Sequence, residues 1–329
     1  MSFRKHLFLG FEGLELNSEL KDYLMHFKAG SLIVFSRNWD SPKQFKELLR
    51  SIRALYRSNG IDKPLIGVDQ EGGKVQRFKS GFMDFPSFHS IGQKFKKDGL
   101  LDYVYDLAKE KARMLKDLGV DINFSPVLDV ARNKNNPIIY QLERSFSEDE
   151  RIVSLLSASY SKGLMDSGVI ACGKHFPGHG GTDEDSHLEL PVVLDHPEKM
   201  FCDLVPFSSF INKGFSMIMS SHVLYPLIDP DRPATLSKRI NKGLLRNGLG
   251  FKGVLVSDDL CMKALYSKKL KERFSINDLF LEALNAGNDM LLVCHEQYAK
   301  ELNLKMLHRK TKEKFRDSKM RIDSLKSLT

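Results

Sequence analysis

Residues 253–259 read GVLVSDD, a short apolar run that ends in two aspartates. The chain carries eight runs of this kind: HLFLGF (6–11), SLIVFS (31–36), PLIGVD (64–69), INFSPVL (122–128), VIACGKHF (169–176), SMIMSSH (216–222), GVLVSDD (253–259) and DMLLVC (289–294). Nearly continuous apolar character over so few residues is typical of parallel strands that are covered on both faces. The pattern therefore predicts eight buried parallel strands.

Longer segments between these runs have the apolar spacing of amphipathic helices. The clearest are PKQFKELLRSIRALYRSNG (42–60), DYVYDLAKEKARMLKDLG (102–119) and DERIVSLLSASYSKGLMDSG (149–168), of which the last two end in the glycine that favours a helix C-terminus. Eight strand–helix units predict an α/β fold, one closed (β/α)₈ TIM-type barrel over residues 1–329 without a second domain. An open doubly wound sheet is the alternative. About 35 residues follow the eighth run, which is room for one terminal helix.

The composition bears on partners and location. The net charge is +8, but basic residues are scattered except in 305–326, where apolar residues recur at helical intervals. We interpret that stretch as a solvated helix face and expect no nucleic-acid partner. The four cysteines lie far apart in sequence, as in a reduced intracellular protein. No apolar segment approaches the ~20 residues of a membrane helix. We therefore expect a cytoplasmic protein with no membrane partner.

Polar or ionisable residues follow almost every apolar run. They are Arg37 and Asn38, Asp69, Asp129, Lys174 and His175, His222, Asp258 and Asp259, and His295. In a barrel of parallel strands these positions all meet at one face, which is where barrel enzymes have their active sites. An open sheet would bring only some of them together.

The segment KHFPGHGGTDEDSHLELP (174–191) combines three histidines, four acidic residues and three glycines. Its possible metal ligands are His175, His179, Asp183, Asp185 and His187. The sequence FPG between the first two histidines excludes an ordinary helix, so their spacing has no metal-binding geometry. GHGG also lacks the Lys-Ser/Thr ending of a phosphate-binding loop.

Besides a metal site and a phosphate-binding loop, the segment can be interpreted as a loop for acid/base catalysis. An imidazole titrates near neutral pH, so His187 suits proton transfer, and Asp185 could orient its ring. A strand-end carboxylate such as Asp258 suits a nucleophile. Together they follow the logic of a retaining glycosidase, although the usual proton donor there is a second carboxylic acid.

Seven motifs resemble the β-N-acetylglucosaminidases of glycoside hydrolase family 3, of the NagZ type. They are VDQEGGKVQRF (68–78), SPVLDVARNKNNPII (125–139), ERSFS (143–147), the 174–191 segment, PATLS (233–237), GFKGVLVSDDL (250–260) and AGNDMLLVC (286–294). The resemblance implies a single barrel without metal or cofactor that hydrolyses terminal non-reducing N-acetylglucosamine. It also implies peptidoglycan recycling, with muropeptides that carry N-acetylglucosamine on 1,6-anhydro-N-acetylmuramic acid as substrates.

Carried over by motif, the resemblance implies that Asp258 is the nucleophile and His187 the acid/base, with Asp185 as its partner. The residues that match the family's sugar-binding positions are Asp69, Arg77, Arg144, Lys174 and His175. The chain departs from the family pattern in NPIIYQLERSFS (136–147), which is about two residues longer. Either this loop bulges and still delivers Arg144 to the sugar, or the rim of the pocket has changed.

Three other functions remain open on the same residues. One is a metal-dependent hydrolase, and another is a sugar-binding protein without turnover, which would need neither a nucleophile nor an acid/base. The third is a phosphorylase, because a histidine acid/base lacks the negative charge that repels phosphate.

Overall fold

The computed structural model describes residues 2–194, 197–268, 270, 274–311 and 315–329. Its strands are β1 (Leu7–Gly10), β2 (Ser31–Val34), β3 (Leu65–Val68), β4 (Ile122–Asn123), β5 (Ile170–Ala171), β6 (Gly173–Phe176), β7 (Met217–Ser220), β8 (Val254–Ser257) and β9 (Leu291–Val293). Each strand lies within one of the eight apolar runs, and the fifth run is divided into β5 and β6 at Cys172. The predicted strands are therefore confirmed.

The strands form two parallel arcs that meet on both sides. One arc has the order β5-β4-β3-β2-β1-β9 and the other β6-β7-β8. They join at one side because β5 and β6 belong to the same run of chain. At the other side Val256 forms a parallel bridge with Met290, and the Ser257 amide donates to the Met290 carbonyl at 2.9 Å. The result is the predicted TIM-type α/β barrel rather than an open sheet.

Helices cover the outside of this barrel. They are α1 (Ser18–Phe27), α2 (Pro42–Ser58), α3 (Phe88–Asp98), α4 (Leu101–Leu118), α5 (Glu150–Asp166), α6 (Pro197–Asn212), α7 (Ile276–Ala286), α8 (Glu296–Lys300), α9 (Leu304–Thr311) and α10 (Arg316–Lys326), with a π-type helix at Arg239–Gly248. The three helices predicted above agree with α2, α4 and α5 to within two residues. Gly119 ends α4 with a φ of 89°, which a glycine adopts without strain.

The prediction of one terminal helix was wrong. Within the described ranges 274–311 and 315–329, three short helices, α8, α9 and α10, follow the last strand. Asn303 separates the first two, because its side-chain oxygen accepts the Met306 amide at 3.0 Å and so caps the start of α9.

The barrel interior is a packed core. Alternate strand residues such as Phe8, Ile33 and Leu292 fill it, and the rings of Phe8 and Phe124 lie 5.3 Å apart between centroids. A filled interior places polar chemistry at the carboxyl ends of the strands rather than in a central pore. Among the described helices, none is long and apolar enough to span a membrane.

Candidate active site

An ion-pair cluster lies at the carboxyl ends of β3 and β6. Lys174 Nζ is 2.7 Å from Asp69 Oδ1 and 2.6 Å from Glu71 Oε1. Arg144 binds Glu71 with two hydrogen bonds, Nε to Oε2 at 2.9 Å and Nη2 to Oε1 at 2.8 Å. We call Asp69, Glu71, Arg144 and Lys174 the ion-pair cluster. It joins side chains that are far apart in sequence because their strands end at the same face.

The electrostatics keep the cluster charged at neutral pH. Burial alone would raise the pKa of Glu71, but the neighbouring Arg144 and Lys174 lower it well below the usual range. Burial also opposes ionisation of Asp69, and Lys174 together with Arg77 outweighs it and lowers the pKa of Asp69. Despite burial, the two carboxylates raise the pKa of Lys174.

The side chains in and beside the ion-pair cluster differ in how accessible they are to a ligand. The side chains of Lys174 and Glu71 are 2% and 1% exposed, whereas Asp69 and Arg77 are 17% and 34% exposed. Arg77 Nη2 lies 3.5 Å from Asp69 Oδ2. Asp69 and Arg77 therefore offer an acceptor and a donor at the surface of the site. The buried Lys174 holds Asp69 in place through its ion pair.

The loop before Arg144 places its guanidinium in the ion-pair cluster. The Arg144 amide donates to the Ile139 carbonyl at 2.9 Å, and Glu143 takes a left-handed φ of 58° in the turn. Arg144 Nη1 also donates to the Ile138 carbonyl at 3.3 Å. Most of its donors are thus directed at protein groups, and a direct contact of Arg144 with a ligand stays a prediction.

Asp129 holds the two histidines of the KHFPGH segment. Its Oδ2 lies 2.7 Å from His175 Nδ1, and its Oδ1 accepts the His179 amide at 2.7 Å. Burial alone would raise the pKa of Asp129, but His175 beside it lowers the pKa. His175 Nε2 consequently faces the ion-pair cluster, 3.4 Å from Arg144 Nη2.

The candidate metal ligands do not converge. His179 contacts Thr182 Oγ1 through Nδ1 at 3.0 Å and Ser186 Oγ through Nε2 at 3.2 Å, so both ring nitrogens have protein partners. In the part of the chain that the structure describes, no three His, Cys, Asp or Glu side chains are arranged to hold a metal ion.

The loop that carries His187 is anchored at its base. Asn136 Nδ2 donates to the carbonyls of His179 and Thr182, each at 2.9 Å. Gly180 packs so closely on the Val130 carbonyl that a Cβ there would overlap it. This glycine is therefore required by packing against the SPVLDV segment.

His187 and Asp185 form a pair at the tip of the loop. The distance between His187 Nδ1 and Asp185 Oδ1 is 2.8 Å, and the same oxygen accepts the His187 amide at 2.8 Å. The His187 side chain is 63% exposed. The predicted partnership of these two residues is present, with the imidazole accessible to a ligand.

Asp258 and Asp259 have different environments, although they are adjacent in sequence. Asp259 Oδ1 accepts the amides of Cys261 and Cys294, each at 3.0 Å, so this carboxylate ties two loops together. Among the residues that the structure describes, Asp258 Oδ1 accepts one hydrogen bond, from the Asp259 amide at 2.8 Å. Burial opposes ionisation of Asp258, but His222 and then His175 outweigh it and lower its pKa to about 2. Asp258 is thus an anionic carboxylate at neutral pH.

His222 is a neighbour of Asp258 whose contacts the sequence did not reveal. Its side chain is fully buried, and burial lowers its pKa. The contacts are Nε2 to the Asp259 carbonyl at 2.9 Å and Nδ1 to Thr235 Oγ1 at 2.8 Å. The motif PATLS therefore contributes Thr235, which orients His222 close enough to Asp258 to affect its charge.

The sequence missed Glu71 as a part of the site, and it placed Asp129 at this face without giving it a role. Both are fully buried, and each fixes side chains that the sequence did select: Glu71 binds Lys174 and Arg144, and Asp129 binds His175. The available signal was their position just after an apolar run, which Asp69 shares. The resulting site has an ionised carboxylate, a histidine with a carboxylate partner and a cluster of charged side chains, which suits nucleophilic catalysis with proton transfer.

Comparison with known proteins gives one consistent result. The sequence profile described as "Glycosyl hydrolase family 3 N terminal domain" matches residues 5–325. A β-hexosaminidase of Thioalkalivibrio sulfidiphilus is 38% identical over 305 residues, which cover 90% of this chain and 82% of the relative.

Solved structures agree with this result. NagZ from Neisseria gonorrhoeae, in complex with N-trifluoroacetyl-D-glucosamine, superposes with a TM-score of 0.84 at 32% identity and covers 98% of this chain and 90% of its own. A glycoside hydrolase family 3 β-N-acetylglucosaminidase from Paenibacillus sp. FPU-7 has a TM-score of 0.90 at 32% identity. The match covers 98% of this chain but 61% of that longer protein.

Proposed function

The chain belongs to glycoside hydrolase family 3 and is a glycoside hydrolase of the β-hexosaminidase type, and on that premise we propose that it is a retaining exo-β-N-acetylglucosaminidase. Its substrates are muropeptides with a terminal non-reducing N-acetylglucosamine on 1,6-anhydro-N-acetylmuramic acid, and it acts on them in the cytoplasm during peptidoglycan recycling. The proposal rests on one arrangement: an ionised Asp258 on the barrel and an exposed His187 bound to Asp185 on a loop at the same face.

The first chemical step forms a glycosyl ester. An oxygen of Asp258 bonds to the anomeric carbon, and the bond from that carbon to the leaving oxygen breaks. His187 Nε2 gives its proton to the leaving oxygen, so the departing sugar is a neutral alcohol. Support comes from the low pKa of Asp258, which keeps the nucleophile unprotonated at every pH where the imidazole can act.

The second step hydrolyses the ester. His187 Nε2 takes a proton from water as the water oxygen bonds to the anomeric carbon, and the bond to Asp258 breaks. Two inversions give net retention, so the first product is the β-anomer. Asp185 keeps Nδ1 as the hydrogen-bonded nitrogen through both steps, which is supported by the 2.8 Å contact.

The partly exposed side chains in and beside the ion-pair cluster, Asp69 and Arg77, supply the sugar-binding groups. Asp69 can accept hydrogen bonds from neighbouring sugar hydroxyls, and the guanidinium of Arg77, whose side chain is 34% exposed, can donate to a ring substituent. Lys174 and Arg144 lie deeper, where they fix the carboxylates and add positive potential, and His175 lies beside Arg144.

A panel of nitrophenyl glycosides tests the substrate. We expect the β-N-acetylglucosaminide to be cleaved on the order of 10²-fold faster than the β-glucoside, because the acetamido group offers contacts that a hydroxyl lacks. Purified Asp258→Asn protein, assayed in parallel, controls for host hexosaminidases. Equal rates on the two glycosides would contradict the substrate assignment.

The same assay separates the rival reactions. Products formed in phosphate buffer distinguish hydrolysis, which gives free N-acetylglucosamine, from phosphorolysis, which gives the sugar 1-phosphate. A chelator should leave the rate unchanged, whereas loss of activity that Zn²⁺ restores would indicate a metal-dependent hydrolase. Tight sugar binding with no cleavage of any glycoside would identify a binding protein.

A further inference from the structure

A lysine is buried behind the ion-pair cluster, outside the residues that the proposed reaction uses. Lys111 lies on α4 and is fully buried. Its Nζ donates to the backbone carbonyl of Glu71 and lies 4.4 Å from the ring centroid of Phe85 and 5.4 Å from that of Tyr160. The ammonium group thus contacts the backbone of Glu71, the residue whose carboxylate binds Arg144 and Lys174.

Glu71 is held from both sides. Its amide donates to the Val75 carbonyl at 3.0 Å, and its carboxylate binds Arg144 and Lys174. Lys111 supplies the contact to its carbonyl. A shift of this carbonyl would move the carboxylate, and with it the Lys174 ammonium that supports Asp69.

A lysine in this place is unfavourable for stability. Burial lowers the pKa of Lys111 to about 7, although the Glu71 carboxylate partly opposes the shift. The folded state therefore binds the proton less well than the unfolded chain does, and this destabilises the protein most below pH 7. An apolar side chain of similar length would avoid that loss. The position thus suits a functional rather than a stabilising role.

We propose that Lys111 is a positioning residue for the sugar site, where its ammonium group fixes the Glu71 main chain and so sets the place of Lys174 and Asp69. The inference rests on the proposed function, because it concerns how Asp69 and its neighbours bind N-acetylglucosamine. Lys111 itself does not touch the sugar.

The proposal makes sugar affinity sensitive to pH. A neutral amine donates a weaker hydrogen bond to the carbonyl than an ammonium and loses its attraction to the Phe85 ring. Affinity should therefore fall as pH rises through about 7, where Lys111 loses its proton. The other titratable groups that face it are Glu71, whose pKa is lowered, and Tyr160, whose pKa is raised by burial. Neither changes charge between pH 6 and 8.5.

Calorimetric titration with N-acetylglucosamine at pH 6, 7 and 8.5 tests this inference. In Lys111→Met we expect the dissociation constant at pH 6 to rise roughly 10-fold, the equivalent of one charge-assisted hydrogen bond. The wild-type protein should lose affinity between pH 6 and 8.5 more steeply than the variant. The site histidines act alike in both proteins, so the difference between the two profiles isolates Lys111.

The matched control is Lys116→Met, because Lys116 is on the same helix and also donates to a backbone carbonyl, that of Gly168 at 3.0 Å, but at the surface. It should bind the sugar as the wild type does. Thermal unfolding at pH 6 provides a second readout: a positioning role predicts that Lys111→Met is at least as stable as the wild type while it binds sugar more weakly.

A second variant keeps the test decisive if Lys111→Met fails to fold. Lys111→Gln retains a donor without charge, so it should recover part of the affinity and show the flatter pH profile. A folded Lys111 variant with wild-type affinity and a wild-type profile would overturn the inference alone. A wild-type protein that does not bind N-acetylglucosamine would overturn the proposed function and this inference with it.

Discussion

His187 Nδ1 lies 2.8 Å from Asp185 Oδ1, and the two residues are separated by only one position in the chain. A carboxylate can only accept, so Nδ1 carries a proton and Nε2 is the atom that exchanges protons with a ligand. The pair therefore belongs to one loop, whereas Asp258 directly follows β8.

His187→Ala should separate substrates by leaving group. General acid catalysis contributes ~10²- to 10⁴-fold, and a basic leaving group needs it most. We expect a loss of this size in kcat/KM for a disaccharide substrate and a small loss for the dinitrophenyl glycoside, which departs almost unaided. Steady-state assays on both substrates measure it.

The control is His26→Ala, which removes an exposed histidine from α1 and should leave both rates unchanged. An equal loss on all leaving groups in His187→Ala would show that the histidine binds substrate and does not donate the proton.

Asp185→Asn should lie between the wild type and His187→Ala. The asparagine keeps the size of the side chain but no longer presents a carboxylate to Nδ1, so the ring is present but poorly held. We expect the disaccharide to lose more rate than the dinitrophenyl glycoside, as in His187→Ala but to a smaller extent. A rate equal to the wild type on both substrates would show that Asp185 is not needed to orient the imidazole.

Much of the architecture can be predicted from the sequence because strand positions depend on local apolar character. The eight runs contain all nine strands that the structure describes, β5 and β6 lying in the same run, and the ionisable residues that follow the runs meet at one face. Side-chain pairing depends on long-range geometry, so it could not be predicted in the same way. Asp69 and Glu71 both follow β3, and only the structure shows that Glu71 is the buried partner of Arg144 and Lys174.

The choice between Asp258 and Asp259 shows the same limit. Both aspartates end β8, and an alternating strand predicts only that they point to opposite sides. Folding separates them, because Asp259 accepts two loop amides and Asp258 faces His222. Those loop amides belong to Cys261 and Cys294, which no local pattern connects.

Glu71→Gln tests the ion-pair cluster. A neutral amide leaves Lys174 and Arg144 buried without their shared anion, and removal of one partner from a buried ion pair destabilises a protein by about 3–5 kcal/mol. We expect a loss of that order in chemical denaturation and a higher KM for the N-acetylglucosaminide. Glu47→Gln, at an exposed ion pair with Arg50, should change neither property. Wild-type stability in Glu71→Gln would contradict the role of Glu71.

Asp258 should contribute to acid sensitivity. Its pKa is about 2 in the folded protein, below the ordinary aspartate value, so the unfolded chain binds the proton more readily. The stability that Asp258 contributes is present above about pH 4 and is lost as pH falls toward 2. In Asp258→Asn the thermal midpoint should therefore decline less steeply from pH 5 to pH 3. An unchanged slope would show that the carboxylate has no stabilising contact with the histidines.

Trapping of the glycosyl ester tests the central claim most directly. His187→Ala should form the ester quickly from the dinitrophenyl N-acetylglucosaminide but hydrolyse it slowly, because the second step still needs the base. Peptide mass spectrometry of the quenched protein should show an added N-acetylglucosaminyl unit on the peptide that contains VSDDL (256–260), and fragmentation should place it on Asp258. An ester on another residue would contradict the account, as would complete turnover with no ester and the α-anomer as first product.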